Sequence, residues 1–233
     1  AVTFLALALQ HFRDVRKLEK ESLKDLESTE FTPRGDAYID GIAKTFEARN
    51  YMSLMIALSV AVSMELFKDI HPVFRVALSS AIGLMILFLL SRFSKGKIVG
   101  DIAEVSLAEV EIKDSELYAD GIFVSNLVGT ENAQKLLSEE GLAVIIEPRE
   151  AHFRIALDNF GQRKAILFEA TRTLGVKRYH FTRKDFATGK TVIVFVPLLH
   201  DPEQLLRVVK NTPLLESVKK SHAVMQTKLI RRK

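Results

Sequence analysis

Three histidines, His152, His180 and His200, and one run of cations interleaved with rings, Lys177-Arg178-Tyr179-His180-Phe181-Thr182-Arg183-Lys184, are the residues whose types could do chemistry. Two imidazoles facing each other can act as general acid and base. His152 and His180, both on expected strands, would suit cleavage of RNA if the fold brought them together. His200 precedes Asp201 as a base precedes its orienter, yet Asp201 stands directly before Pro202 and is better explained as a helix cap. Strand alternation puts Tyr179 and Phe181 on one face with Lys177 and Arg183, and rings beside cations are what single-stranded RNA recognition uses. The competing reading is a hairpin whose rings face the core and whose charges fringe it. A second anion site could form at Asn159-Phe160-Gly161-Gln162-Arg163-Lys164, the competing reading being that its two cations reach outward to neighbouring carboxylates. There Arg163 and Lys164 sit in the first turn of a helix and oppose its dipole; with Gln162 and the free amides they would hold a phosphate. No phosphate loop, HExxH or GxSxG signature is present. The absence of cysteine excludes disulfides, thiolate zinc sites and a thiol nucleophile. No motif calls for a cofactor or a metal.

Residues 98–233 supply the positioning elements. Strands are expected over 98–112, 117–124, 142–147 and 152–158, and a hairpin pairs 177–186 with 191–198 across Ala187-Thr188-Gly189-Lys190. Helices are expected over 131–140, capped by Thr130 and stopped by Gly141, over 162–174, ended by Gly175, and after Pro202 and Pro213. The order predicts an α+β sandwich, ferredoxin-like in its second half. Charge divides it: 98–150 carries twelve acidic and three basic residues, 151–233 six acidic and seventeen basic, about −9 against +11. The basic half could meet nucleic acid or anionic lipid, or pair with the acidic half. The terminal run Lys219, Lys220, His222, Lys228, Arg231, Arg232 and Lys233 reads as a frayed helix and tail, the alternative being contact with anionic headgroups.

Residues 51–67 and 73–93 are apolar, each about long enough to cross a hydrocarbon core of roughly 30 Å as a helix. Only Lys68-Asp69-Ile70-His71-Pro72 separates them, which predicts a transmembrane hairpin over 51–93. Arg34, Lys44 and Arg49 before it and Arg92, Lys95 and Lys97 after it place both flanks in the cytoplasm. Small residues recur as Ser53, Ala57 and Ala61 on one span and Ser79 and Gly83 on the other, allowing close approach in lipid. Antiparallel folding about Ile70 would oppose Ala57 to Gly83, Ala61 to Ser79 and Glu65 to Arg75, the last as an ion pair near the interface.

Residues 1–9 are apolar and too short to span, and are taken as the end of an earlier membrane helix. Residues 11–27 have helical spacing of Phe12, Val15, Leu18, Leu23 and Leu26 and read as an amphipathic helix. A linker over 27–35 follows, and Asp36 can cap a helix from Ala37 toward the membrane. Gly41 in its interior should cost about 1 kcal/mol relative to alanine, so a packing or functional reason is expected. Tyr38-Ile39-Asp40-Gly41-Ile42-Ala43, within PRGDAYIDGIAKTFEARNYM, resembles the hexapeptide of the YIEGIA family of membrane proteins from endospore-forming bacteria. The earlier AVTFLALALQHFRDVR and the later NFGQRKAI resemble it too. Asp40 stands where that motif has glutamate, keeping the charge and shortening its reach. The resemblance implies a polytopic membrane protein of the sporulating lineage, with a connection to RNA turnover, and brings no catalytic residues with it.

Three functions compete on the sequence alone. The first is a membrane-anchored regulatory or protein-interaction platform in the cell membrane, its soluble domain cytoplasmic, with lipid, a protein partner or a second copy as neighbours. The second is a membrane-bound RNA-binding protein or endoribonuclease using the basic face. The third is a transporter, against which the visible spans offer a single charge pair near the interface.

Overall fold

The computed structural model describes residues 2–27, 32–94, 96–216 and 218. Lys95, the middle of the 27–35 linker and the C-terminal basic run lie outside them. The chain forms two compact units, residues 1–26 with 39–96, and residues 27–38 with 97–233.

The first unit is helical. Helix α1, Val2–Glu27, runs without a break through both the apolar start and the amphipathic stretch. Helix α2, Asp36–Leu66, likewise fuses the motif and the first apolar segment into one element of 31 residues, since neither Gly41 nor Asn50 is enough to stop a helix. Helix α3, Pro72–Ser94, follows a turn over 67–71. Among the described residues one stretch, Pro72–Arg92, is long and apolar enough to cross a membrane, and only 11% of it is buried. The expected hairpin therefore has one candidate span.

Helices α2 and α3 pack closely at Gly83, where an added Cβ would lie 2.7 Å from Cγ2 of Val60 and force that side chain aside. The face that α3 turns inward is the expected one, with Ser79 and Gly83 buried. That of α2 is not. Ser53, Ala57 and Ala61 are exposed, whereas Val60 and Ile56 approach α3 at Gly83. The helix is rotated because the larger Val60 and Ile56 bury more apolar surface against the notch at Gly83 than alanine would. The Glu65–Arg75 pair is lost with that register: Glu65 is exposed, 3.8 Å from Lys68.

The second unit is an antiparallel sandwich. After the short helix α4, Val99–Ile102, come β1, Ala103–Ala108, β2, Val110–Lys113, β3, Glu116–Ala119, and β4, Ile122–Ser125. Helix α5, Glu131–Glu140, leads to β5, Leu142–Pro148; a 3-10 turn, Ala151–Phe153, leads to α6, Arg154–Asp158, and α7, Phe160–Leu174. Strands β6, Arg178–Lys184, and β7, Thr191–Val196, form the hairpin, and α8, Pro202–Asn211, closes the unit. Four strands pair in the order β1-β5-β7-β6, all antiparallel, and β2-β3-β4 make a second small sheet.

Strand alternation gives the large sheet two apolar faces. Val144, Ile146, Ile193 and Phe195 pack with Leu157, Ile166 and Leu205 of the helices. Ala143, Ile145, Val192, Val194 and Val196 pack with Leu117, Val124 and Leu137 of the small sheet and α5.

Several expected boundaries move. Residues 98–112 are a helical turn and two strands; 117–124 are two strands, because Asp120 and Gly121, with φ of 46° and 73°, make the tight turn that an Asp-Gly pair favours. Residues 152–158 are helical rather than a strand. The run is too short for its periodicity to decide, and the structure buries Ala156 and Leu157 on a helical turn.

Candidate anion-binding face

Helix α7 starts at Asn159, whose side-chain oxygen accepts from the Gln162 amide at 3.1 Å. That cap already occupies one of the amides expected for a phosphate. Gln162 is fully buried and used elsewhere: Nε2 donates to the carbonyl of Pro213 at 3.1 Å, and Oε1 accepts from the Leu215 amide at 2.8 Å. Its role is to fasten residues 213–215 to α7. Lys164 lays its stem along Gly35 and carries Nζ 5.0 Å above the Phe160 ring. Arg163 is half-buried, its guanidinium 5.8 Å from the same ring. Burial, and to a smaller degree Arg183, holds its pKa below the usual arginine value, with Asp158 acting against them.

Strand β6 lies at the margin of the large sheet. Its register sets Phe181 opposite Val194 and Arg183 opposite Val192, on the side of the small sheet, while His180, Thr182 and Lys184 oppose Phe195, Ile193 and Thr191 on the helical side. A bulge between Arg178 and His180 coincides with Tyr179 at φ 56°. Tyr179 and Phe181 pack against the apolar cluster of the small sheet and are not open stacking platforms. The cations mostly have partners. Lys177 pairs with Glu140, Lys184 with Asp158 at 2.5 Å, and Arg183 lies 5.4 Å over the Phe123 ring. Arg178 sits 5.8 Å over Tyr179. Arg183, Lys184 and Phe186 join Phe123 in lining a shallow cleft of about 480 Å³.

The histidines are dispersed over three kinds of element. His152, on the 3-10 turn, has Nδ1 3.1 Å from Glu150 and its ring against Phe153. His180 is half-buried on β6, and desolvation lowers its pKa. His200 is exposed, and Asp201 after it caps α8 by accepting from the Gln204 amide at 2.9 Å. Among the described residues no group of three or more histidines and carboxylates could hold a metal.

The YIDGIA motif is built into both units. In the second, the Tyr38 hydroxyl donates to Glu169, whose other oxygen receives Arg172 at 2.7 Å, and the Tyr38 ring leans on Phe168 at 5.8 Å. Burial first, then the bond to Glu169, pushes the Tyr38 pKa well up. In the first, Asp40 receives Lys44 at 2.6 Å, Arg16 at 3.2 Å and Lys20 at 3.4 Å. These cations, Lys44 foremost, hold its pKa down to about 2. Arg16 also reaches Glu47 at 2.9 Å, and Glu47 accepts from Tyr51, so the motif's carboxylate ties α1 to α2. A side chain added at Gly41 would meet no atom within 4 Å. Sequence reasoning did not find Arg16 or Glu169, because nothing local marks a partner 24 or 131 residues away.

A helical unit with one candidate membrane span, joined to an antiparallel sandwich of helix and sheet, is the class that fold and site define. Within it, the family model of the YIEGIA protein matches residues 1–225, and the chain belongs to that family. It is 32% identical over 225 residues to the uncharacterized protein YphB of Bacillus subtilis (strain 168), a match covering 93% of this chain and 73% of that one. No solved structure matches.

Proposed function

We propose that this protein is a membrane-anchored platform for protein interaction, held in the cell membrane by several helices, with its sandwich on the cytoplasmic side and a role in the sporulating lineage. The observation that carries the reading is the pattern of what the sandwich leaves open. Lys177, Lys184 and Lys190 are answered within the unit by Glu140, Asp158 and Glu147, while large apolar side chains stay exposed: Phe186 at 75%, Leu198 at 65% and Leu199 at 53%. Exposed apolar residues beside neutralised charge favour a protein partner, or a second copy, over a polyanion. The sandwich is read as ferredoxin-like, since β5, α7, β6, β7 and α8 run as βαββα and β1 occupies the place of the closing strand.

A membrane-bound RNA-binding protein or endoribonuclease is the second reading. It is favoured by Arg178 and Arg183, which lie exposed on β6 over aromatic rings and form no ion pair among the described residues. One experiment separates the two: sizing of the detergent-solubilised full chain, with and without a single-stranded RNA, beside Leu198→Asp/Leu199→Asp. The platform reading expects a complex larger than one chain that the double substitution reduces. A single-chain species unaffected by it, co-eluting with RNA in a manner that weakens steeply with salt, would replace that reading by the second.

A further inference from the structure

Buried polar atoms without partners collect where β6 passes the corner between α6 and α7. Nε of Arg163, Oδ1 of Asp158 and the hydroxyls of Thr182 and Thr191 are each shut from solvent and meet no hydrogen-bond partner among the described residues. Contacts and register connect them. Nζ of Lys184 lies 2.5 Å from the other oxygen of Asp158. Thr191, fully buried, stands directly opposite Lys184 in the β6–β7 ladder, and Thr182 precedes Lys184 by two residues on the same face. Arg163, five residues after Asp158 and at the start of α7, interacts electrostatically with that carboxylate and with Arg183. Buried polar groups in proteins nearly always find partners, so a cluster of such groups is a place for a water, an ion or a ligand to complete.

The chemistry of these atoms selects what would complete it. Arg163, Lys184 and the two hydroxyls donate; Asp158 accepts and cannot donate while it is ionised. An anion with several acceptor oxygens answers the donors, and one P–OH of its own answers Asp158. We propose that this corner binds a protonated phosphate group, that of inorganic phosphate or of a phosphate monoester. A sulfate or a phosphodiester has no such proton and would set a charged oxygen against the carboxylate. The inference goes beyond the platform reading, and the exclusion of diesters separates it from the RNA one.

The test measures binding and thermal unfolding of the full chain in detergent at pH 6, near the second pKa of about 6 of a phosphate monoester. The probes are inorganic phosphate, methyl phosphate, dimethyl phosphate and sulfate at equal ionic strength. Phosphate binds and raises the unfolding midpoint by mass action, while sulfate and dimethyl phosphate do neither; methyl phosphate binding as well as phosphate would assign the site to monoesters, and weaker binding to the free ion. Arg163→Gln lowers phosphate affinity about tenfold, the loss expected for one charge-assisted hydrogen bond. Asp158→Asn admits sulfate, a gain that damage to the fold would not produce. Equal response to sulfate and phosphate, no response to any of the four, or unchanged affinity in Arg163→Gln would each overturn the proposal and leave the corner as a hydrated polar seam.

Discussion

Asp40 is one carboxylate shared among Lys44, Arg16 and Lys20, and its value to the fold depends on its being ionised. Its pKa falls from 3.8 unfolded to about 2 folded, so the unfolded chain takes up the proton first as the solution is acidified. The contribution is complete above the unfolded value and is lost as pH falls toward 2. Asp40→Asn should destabilise the first unit by about 1 kcal/mol at neutral pH, a modest figure because the cations are partly solvated. Denaturant unfolding at a series of pH values should show the difference from the parent chain closing as pH falls through that window. A difference that stays constant down to the acid limit would mean the asparagine disturbs packing instead. Glutamate at this position, as in the family's hexapeptide, carries the same charge one methylene further out, so the distances to Lys44 and Arg16 must be met by a different rotamer.

At the scale of elements, two glycines call for opposite outcomes. Gly121 sits in the β3–β4 turn at φ 73°, which a branched L-residue adopts only with strain, so Gly121→Val should cost about 1–2 kcal/mol. Gly41 lies inside α2 with open space where a Cβ would go, and Gly41→Ala should stabilise by about 0.5–1 kcal/mol. Thermal unfolding of the two variants side by side checks both signs. That turn also shows where the fold was legible in the sequence. Helices with a local start and stop were readable: α5 between Thr130 and Gly141, α7 ending at Gly175, α8 after Asp201 and Pro202. Asp120-Gly121 carried an equally local signal that the apolar residues around it obscured. Residues 152–158 carried none, since a run of that length buries the same side chains as a strand or as a helical turn. The candidate site divides likewise. Arg163, Lys184 and Thr182 lie in stretches the sequence marks as basic, but Asp158 and Thr191 join them only through the β6–β7 register and the corner before α7, which no local pattern encodes.

For the whole molecule, the exposure of α3 is the feature with the widest consequence for where the protein resides. Leu84 and Phe88 are 66% and 65% exposed on a helix that is apolar on nearly every side. Lysine at a membrane-helix centre costs roughly 2.5–3.5 kcal/mol on the insertion scale. Leu84→Lys/Phe88→Lys should therefore move much of the chain out of the carbonate-resistant membrane fraction, and an unchanged partition would show that α3 is not the anchor. The charge halves of the sandwich meet in pairs such as Lys190 with Glu147, 2.9 Å apart, so the segregation along the sequence does not persist as two bare surfaces.

Strand β6, with its Tyr179 bulge and the cations Arg178, Arg183 and Lys184, leaves one row of main-chain amides and carbonyls at the rim of the large sheet without a neighbouring strand in that sheet. The β6 of a second copy seeking to extend the sheet there would meet a bulged strand and, at Arg178 and Arg183, like charge, two obstacles to polymerisation through β-strand addition. The basic character that first suggests a ligand thus also works against fibrillar association between copies.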